Sequence, residues 1–252
     1  MTGGQAAILL AASVGAGVMN SMAGGGTLLT FPALLLTGES AIQANATSTV
    51  ALLPGAASSM AAYRDEVAAH RDWLKTLLLP SLAGGLVGAL LLLRTPEQTF
   101  RKLAPILILF ATLLFAFQAL VARPAGEPQG PAKPRRLGVA VLAQFLVSVY
   151  GGYFGAGIGI LMLVILGFLG LSDIHAMNGL KNFFGICINV TAALLFVVNG
   201  AVDWGPALLM AAGSTVGGYG GARFARRIGQ KKARAAVIVI GLVMGISLLV
   251  RQ

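Results

Sequence analysis

A few polar and glycine residues stand inside long apolar runs, and their types and spacing point to the binding of an anion. The first group is Asn20-Ser21-Met22-Ala23-Gly24-Gly25-Gly26-Thr27. Three consecutive glycines interrupt an apolar segment and leave backbone N–H and C=O groups without intrahelical partners. Such backbone is tolerated at membrane depth only when it is packed in protein or lines a cavity. A helix restarting at Thr27 points N–H groups and the positive end of its dipole into that break, which is the chemistry of oxyanion binding. Gly24-x-Gly26 recurs as Gly155-x-Gly157, 131 positions further on. Glycines also let helices pack closely. The flanking Asn20, Ser21, Thr27 and Thr30, and the echo in the second half, favour a site.

The second group is Asn45-Ala46-Thr47-Ser48-Thr49, matched by Asn178-Gly179-Leu180-Lys181-Asn182. Asn45 and Thr49 are four apart, as are Asn178 and Asn182, so each pair shares a helix face. They can donate to oxyanion oxygens, or they can cap helices and bond between them. Lys181 is the lysine at the edge of an apolar span. An ionisable residue there is a functional candidate, and a lysine suits an anion. The competing explanation is snorkelling to the interface. The expected substrate-binding set is therefore Asn20, Ser21, Gly24, Gly25, Gly26, Thr27, Asn45, Ser48, Thr49, Gly155, Gly157, Asn178, Lys181 and Asn182.

Other chemistries lack their residues. Glu39, Asp65, Glu66, Asp72, Glu97, Glu127, Asp173 and Asp203 all fall in loops or at span ends, so a buried acidic proton relay is not expected. His175 is the candidate for proton coupling, and it reads as a loop histidine. His70 and His175 have no accompanying Ser or Cys motif, so an intramembrane enzyme is disfavoured and no catalytic residue is assigned. No spacing suits a metal, and no cofactor is expected. Cys187, the single cysteine, reads as a small buried hydrophobe.

These residues must be positioned by membrane helices. Of 252 residues, 57% are hydrophobic and 10% charged, against about 25% charged in soluble domains. The net charge of +10 sits in short clusters between apolar runs, where it sets membrane orientation; nucleic-acid binding is not expected. Residues 5–14 are apolar with no basic region before them, so a cleaved signal peptide is not expected. Two apolar segments, 5–36 and 137–171, are broken by glycine, the second at Gly151-Gly152 and at Gly155 and Gly157. Three spans follow each: 41–62, 74–93 and 103–121, then 175–198, 205–222 and 235–250. Residues 123–136, with Pro124, Pro128, Pro131 and Pro134, read as a linker. The chain therefore divides into a first repeat (1–122), the linker (123–136) and a second repeat (137–252). Asp72-Trp73 matches Asp203-Trp204 at the glycine motif's separation, and Gly84 and Gly88 match Gly217 and Gly221. The glycines read as packing faces, the Trp residues as interfacial anchors, and Asn189 as polar glue between helices.

The cations decide between parallel and inverted halves. If each broken segment crosses once, they divide eight against nine; if each is a hairpin returning to the side it entered, thirteen against four. The positive-inside rule prefers the hairpins. The expected fold is thus an all-α membrane protein of two inverted repeats, each a re-entrant hairpin plus three transmembrane helices.

The stretch from Asn20 to Pro32, the run Ala44-Asn45-Ala46-Thr47-Ser48-Thr49 and the echo Gly151-Gly-Tyr-Phe-Gly-Ala-Gly157 resemble the TauE/SafE family of sulfite exporters along essentially the whole chain. The resemblance implies a secondary transporter of the bacterial inner membrane for sulfite, a sulfonate or another small sulfur or carboxylate anion. A non-transporting membrane partner is the alternative. The expected partners are a small anion and the lipid bilayer; the oligomeric state, monomer or homodimer, stays open.

Overall fold

The computed structural model describes residues 1–22, 24–61, 63–121, 134–171, 173–228 and 230–250. Among them the chain is helical: α1 (Gly3–Met22), α2 (Thr27–Leu36), α3 (Ala41–Ala61), α4 (Arg64–Ala69), α5 (Arg71–Arg94), α6 (Glu97–Val121), α7 (Pro134–Tyr153), α8 (Ile158–Phe168), α9 (Ile174–Val198), α10 (Trp204–Ile228) and α11 (Gln230–Val250). Four helices in the described residues are long and apolar enough to cross a bilayer: Gly3–Ser21, Arg71–Arg94, Glu97–Phe117 and Ile174–Val198. The protein is a multi-pass membrane protein. Apolar side chains such as Leu79, Phe117 and Leu194 stay exposed on its outside, as a lipid-facing surface allows. Of the expected linker, 123–133 lies outside the described residues, and α7 opens at Pro134, whose missing N–H costs nothing in a first turn.

The two broken segments each give a long helix followed by a short one. Gln5, near the start of α1, donates from Nε2 to the Thr37 carbonyl just past α2, at 3.2 Å. A Cβ on Gly15 would meet Leu29, and one on Gly26 the Ala16 carbonyl, so α1 and α2 lie antiparallel. The second segment breaks later than its first glycines suggest. Gly151 and Gly152 stay inside α7, with Gly152 pressed against Gly85 of α5; they serve packing. The chain turns at Gly155 and Gly157, whose φ values are +82° and +80°, a region that L side chains avoid.

Helix α1 packs along α10 and α7 along α5; α3 lies on α10 and α9 on α5; α6 pairs with α11. Exchanging the first-half helices for their second-half counterparts leaves these neighbours unchanged. At the centre α3 and α9 meet in opposite directions. Thr47, near the start of α3, accepts a bond of 3.0 Å from the Asp203 N–H beyond the end of α9. Gly179, near the start of α9, lies against Tyr63 and Val67 beyond the end of α3. Small residues make the close contacts: a Cβ on Gly84 would collide with Ser148 and the Phe145 backbone, and one on Gly217 with the Val14 backbone.

The core runs through an aromatic group at one end of the bundle. Phe31, Phe100 and Phe154 pack edge-on, with Tyr153 against Phe100. This cluster joins α2 to the turn between α7 and α8, so the two broken segments are held by shared packing.

Candidate functional site

The two breaks converge on one cavity. It has a volume of about 60 Å³ and is lined by Asn20, Gly24, Gly25, Thr27, Leu52, Ala56, Gly155, Ile158, Gly159, Met162, Lys181, Asn182, Gly185 and Asn189. A site for a single water needs about 10–15 Å³ by this measure, so the space suits an ion of four or five heavy atoms. A Cβ on Gly24 (φ +80°) would lie 3.3 Å from the Gly159 Cα, which brings the two broken segments together at its wall. Lining residues 181–189 straddle the middle of α9, and Leu52 is at the middle of α3.

Its electrostatics are one-sided. Lys181 is 2% exposed and its Nζ has no hydrogen-bond partner; Asn182 is 9% exposed and its Nδ2 has none. An unpaired buried charge is costly, so an occupant that supplies negative charge is favoured. Among the described residues no carboxylate lines the cavity. Thr27 and Ile158, the first residues of α2 and α8, both line it. The caps of these helices, Gly26 and Gly157, have no side chain to offer, so both helix N-termini face the cavity without an acidic side chain against their partial positive charge. By contrast α9 is capped by the Asp173 side chain, which accepts from the His175 N–H.

Of the fourteen residues expected from sequence, Asn20, Gly24, Gly25, Thr27, Gly155, Lys181 and Asn182 come together at the cavity. The burial of Lys181 replaces the snorkelling alternative. Seven lie elsewhere. The Gly26 N–H donates to Asn20 Oδ1 at 2.8 Å, fixing the first break. Ser21 donates to the Val18 carbonyl and Thr49 to the Asn45 carbonyl. Ser48 pairs with the Thr30 hydroxyl. Asn45 reaches across the molecule and donates from Nδ2 to the Tyr153 carbonyl at 3.0 Å, bracing the end of α7. Gly157 caps α8, and Asn178 keeps a buried Oδ1 without a partner.

Sequence reasoning missed Leu52, Ala56, Ile158, Gly159, Met162 and Gly185, and gave Asn189 only a gluing role. The signal was present: Lys181, Gly185 and Asn189 are spaced by four and share one helix face.

A second polar cluster sits in the turn between α2 and α3. Both carboxylate oxygens of Glu39 are buried and neither reaches hydrogen-bond geometry with a donor. Loss of water, and then the charge of Asp203, push its carboxyl up to about 7; the nearby Thr47 hydroxyl offsets this in part.

Comparison with known proteins follows the same lines. The profile of the family described as "Sulfite exporter TauE/SafE" matches residues 9–248. The chain is 31% identical over 242 residues to the "Probable membrane transporter protein YfcA" of Escherichia coli strain K12, covering 93% of this chain and 86% of that protein. It is 28% identical over 245 residues to the "Probable membrane transporter protein ORF9" of Sinorhizobium sp, covering 96% and 92%. A "Probable membrane transporter protein" of Haemophilus influenzae is 28% identical over 242 residues, covering 94% and 92%. No solved structure matches.

Proposed function

The chain belongs to the TauE/SafE family of sulfite exporters and is a membrane transporter; on that premise we propose that it is a secondary transporter of the bacterial inner membrane that exports a small sulfur oxyanion, sulfite or an organosulfonate, by alternating access at this cavity. The observation that carries the proposal is the pair of buried, unpartnered donors, Lys181 Nζ and Asn182 Nδ2, in a cavity without a carboxylate. An anion supplies what both donors lack.

The mechanism uses the symmetry of the halves. Residues 1–122 and 137–252 are the two repeats, and the antiparallel meeting of α3 and α9 supports their inversion. The antiparallel packing of α1 and α2 supports a first segment that returns to the side it entered. Inverted repeats around a midplane site provide two related conformations, each open to one side. Lys181, Asn182, Asn20, Thr27 and the backbone at Gly24, Gly25 and Gly155 contact the anion. Gly26, Asn45, Ser48 and Gly157 hold the broken segments in place, while Ser21 and Thr49 bond within their own helices and Asn178 stays away from the anion.

An inside-negative potential favours anion export by about 2.3 kcal/mol per charge per 100 mV. Export can therefore run without a coupling ion. The test is sulfite efflux from proteoliposomes with the potential clamped by a potassium gradient. Saturable efflux that follows the potential is expected. Folded protein that moves no tested anion would overturn the proposal and favour a non-transporting membrane partner.

A further inference from the structure

The positive charge around the cavity is larger than a single charge. Lys181, when protonated, contributes one positive charge from a side chain that is 2% exposed and unpartnered. The N-termini of α2 and α8 each contribute up to roughly half an elementary charge, because Thr27 and Ile158 both face the cavity and neither N-terminus carries an acidic cap; α2 has only the neutral Asn20 oxygen on the Gly26 N–H. No carboxylate among the lining residues offsets this sum. Two of the lining amides carry the same bias. Asn182 Nδ2 has no acceptor, and the Asn20 oxygen is already taken by the Gly26 N–H, so Asn20 has its NH2 left to offer. A protonated anion would need an acceptor for its O–H, whereas a fully ionised one accepts from every donor.

Resting on the transport reading above, we infer that the cavity selects its ligand by charge state and takes a compact oxyanion carrying two negative charges, rather than a singly charged oxyanion of the same size. Among sulfur anions this favours the sulfite dianion over bisulfite and over alkanesulfonates, which carry a single charge. It also gives binding a pH dependence that belongs to the ligand: the sulfite dianion takes up its first proton near neutral pH and becomes bisulfite, so its affinity falls on acidification while that of a permanent dianion does not.

Sulfate and methanesulfonate are the probes that isolate charge, because both are tetrahedral, both have five heavy atoms, and neither changes charge near neutrality. Their binding to purified full-length protein is measured by titration calorimetry at equal ionic strength, at roughly pH 6 and pH 8. Sulfate is expected to bind at least about tenfold more tightly at both pH values. Sulfite is expected to tighten from the lower pH to the higher, and Lys181→Met to lower the sulfate-to-methanesulfonate ratio severalfold, the helix N-termini keeping the remainder. Methanesulfonate binding as tightly as sulfate to the unaltered protein would overturn the inference and leave the transport reading standing. Binding of neither sulfate, sulfite nor methanesulfonate by folded protein would overturn both.

Discussion

Helices α3 and α9 occupy corresponding places in the two halves, yet they meet the cavity with different chemistry. With Asn45 matched to Asn178, Ser48 corresponds to Lys181, Leu52 to Gly185 and Ala56 to Asn189. On α3 the hydroxyl of Ser48 is used up by Thr30, and Leu52 and Ala56 present an apolar wall. On α9 Lys181 is unpartnered, Gly185 leaves open space and Asn189 lines the cavity. The two halves thus pack alike, while of these two central helices it is α9 that carries the unpartnered donors. A compact anion needs only one set of strong donors. From α3 the cavity receives only the apolar Leu52 and Ala56.

If the scaffold is symmetric, the largest effects fall equally on both halves. Gly84→Val and Gly217→Val each force a side chain into a neighbouring helix backbone. Both should destabilise by about 3 kcal/mol or more, read as loss of the monodisperse peak in size-exclusion chromatography. A large difference between them would break the symmetry argument. Next come the unequal pair. Lys181→Gln should weaken sulfite binding on the order of 100-fold with the fold intact. Ser48→Ala should leave affinity nearly unchanged and cost about 1 kcal/mol of stability through the lost bond to Thr30. Affinity measurements paired with thermal melts separate the two. Leu52→Asn sharpens the comparison further: if the unpartnered donors on α9 carry the anion, a polar group on the α3 wall should shift affinity by less than about tenfold.

The smallest expected effect concerns Glu39. Its carboxyl is raised from 4.5 to about 7. The folded protein therefore keeps this proton at pH values where an exposed carboxyl loses it. Its contribution to stability falls as pH rises from about 4.5 to 7 and is flat on either side. Glu39→Gln should flatten that part of a melting-temperature profile; an unchanged slope would assign it to other groups.

Much of this was legible in the sequence because membrane physics leaves few options. Glycine breaks, apolar lengths and the 131-residue echo locate the helices, and the expected span 41–62 becomes α3 at Ala41–Ala61. What the sequence could not say is which polar groups are already satisfied. Asn45, Ser48 and Thr49 look as suitable as Lys181 and Asn182 until their partners are known, and Asn45 finds its partner 108 positions away at Tyr153. Glu39 reads as a loop carboxylate because neither its burial by tertiary packing nor the neighbouring charge of Asp203, far along the chain, leaves a local signal. The apolar wall, Leu52, Ile158 and Met162, carries no local signal, since any membrane helix offers such residues. Helix α4 was missed because six residues are too few for a periodic pattern.

The most direct test of the central claim, that an anion passes through the cavity shared by both halves, is to place a thiol in it. Gly185 lines the cavity, and a Cβ there would meet nothing within 4 Å. Gly185→Cys, in a background where Cys187→Ala removes the native thiol, should therefore fold. Its reaction with a small charged methanethiosulfonate is measured from each face of sealed proteoliposomes, with and without sulfite. The account predicts modification from both faces, slowed by sulfite in a saturable way. Modification from one face only, at a rate indifferent to sulfite, would contradict it.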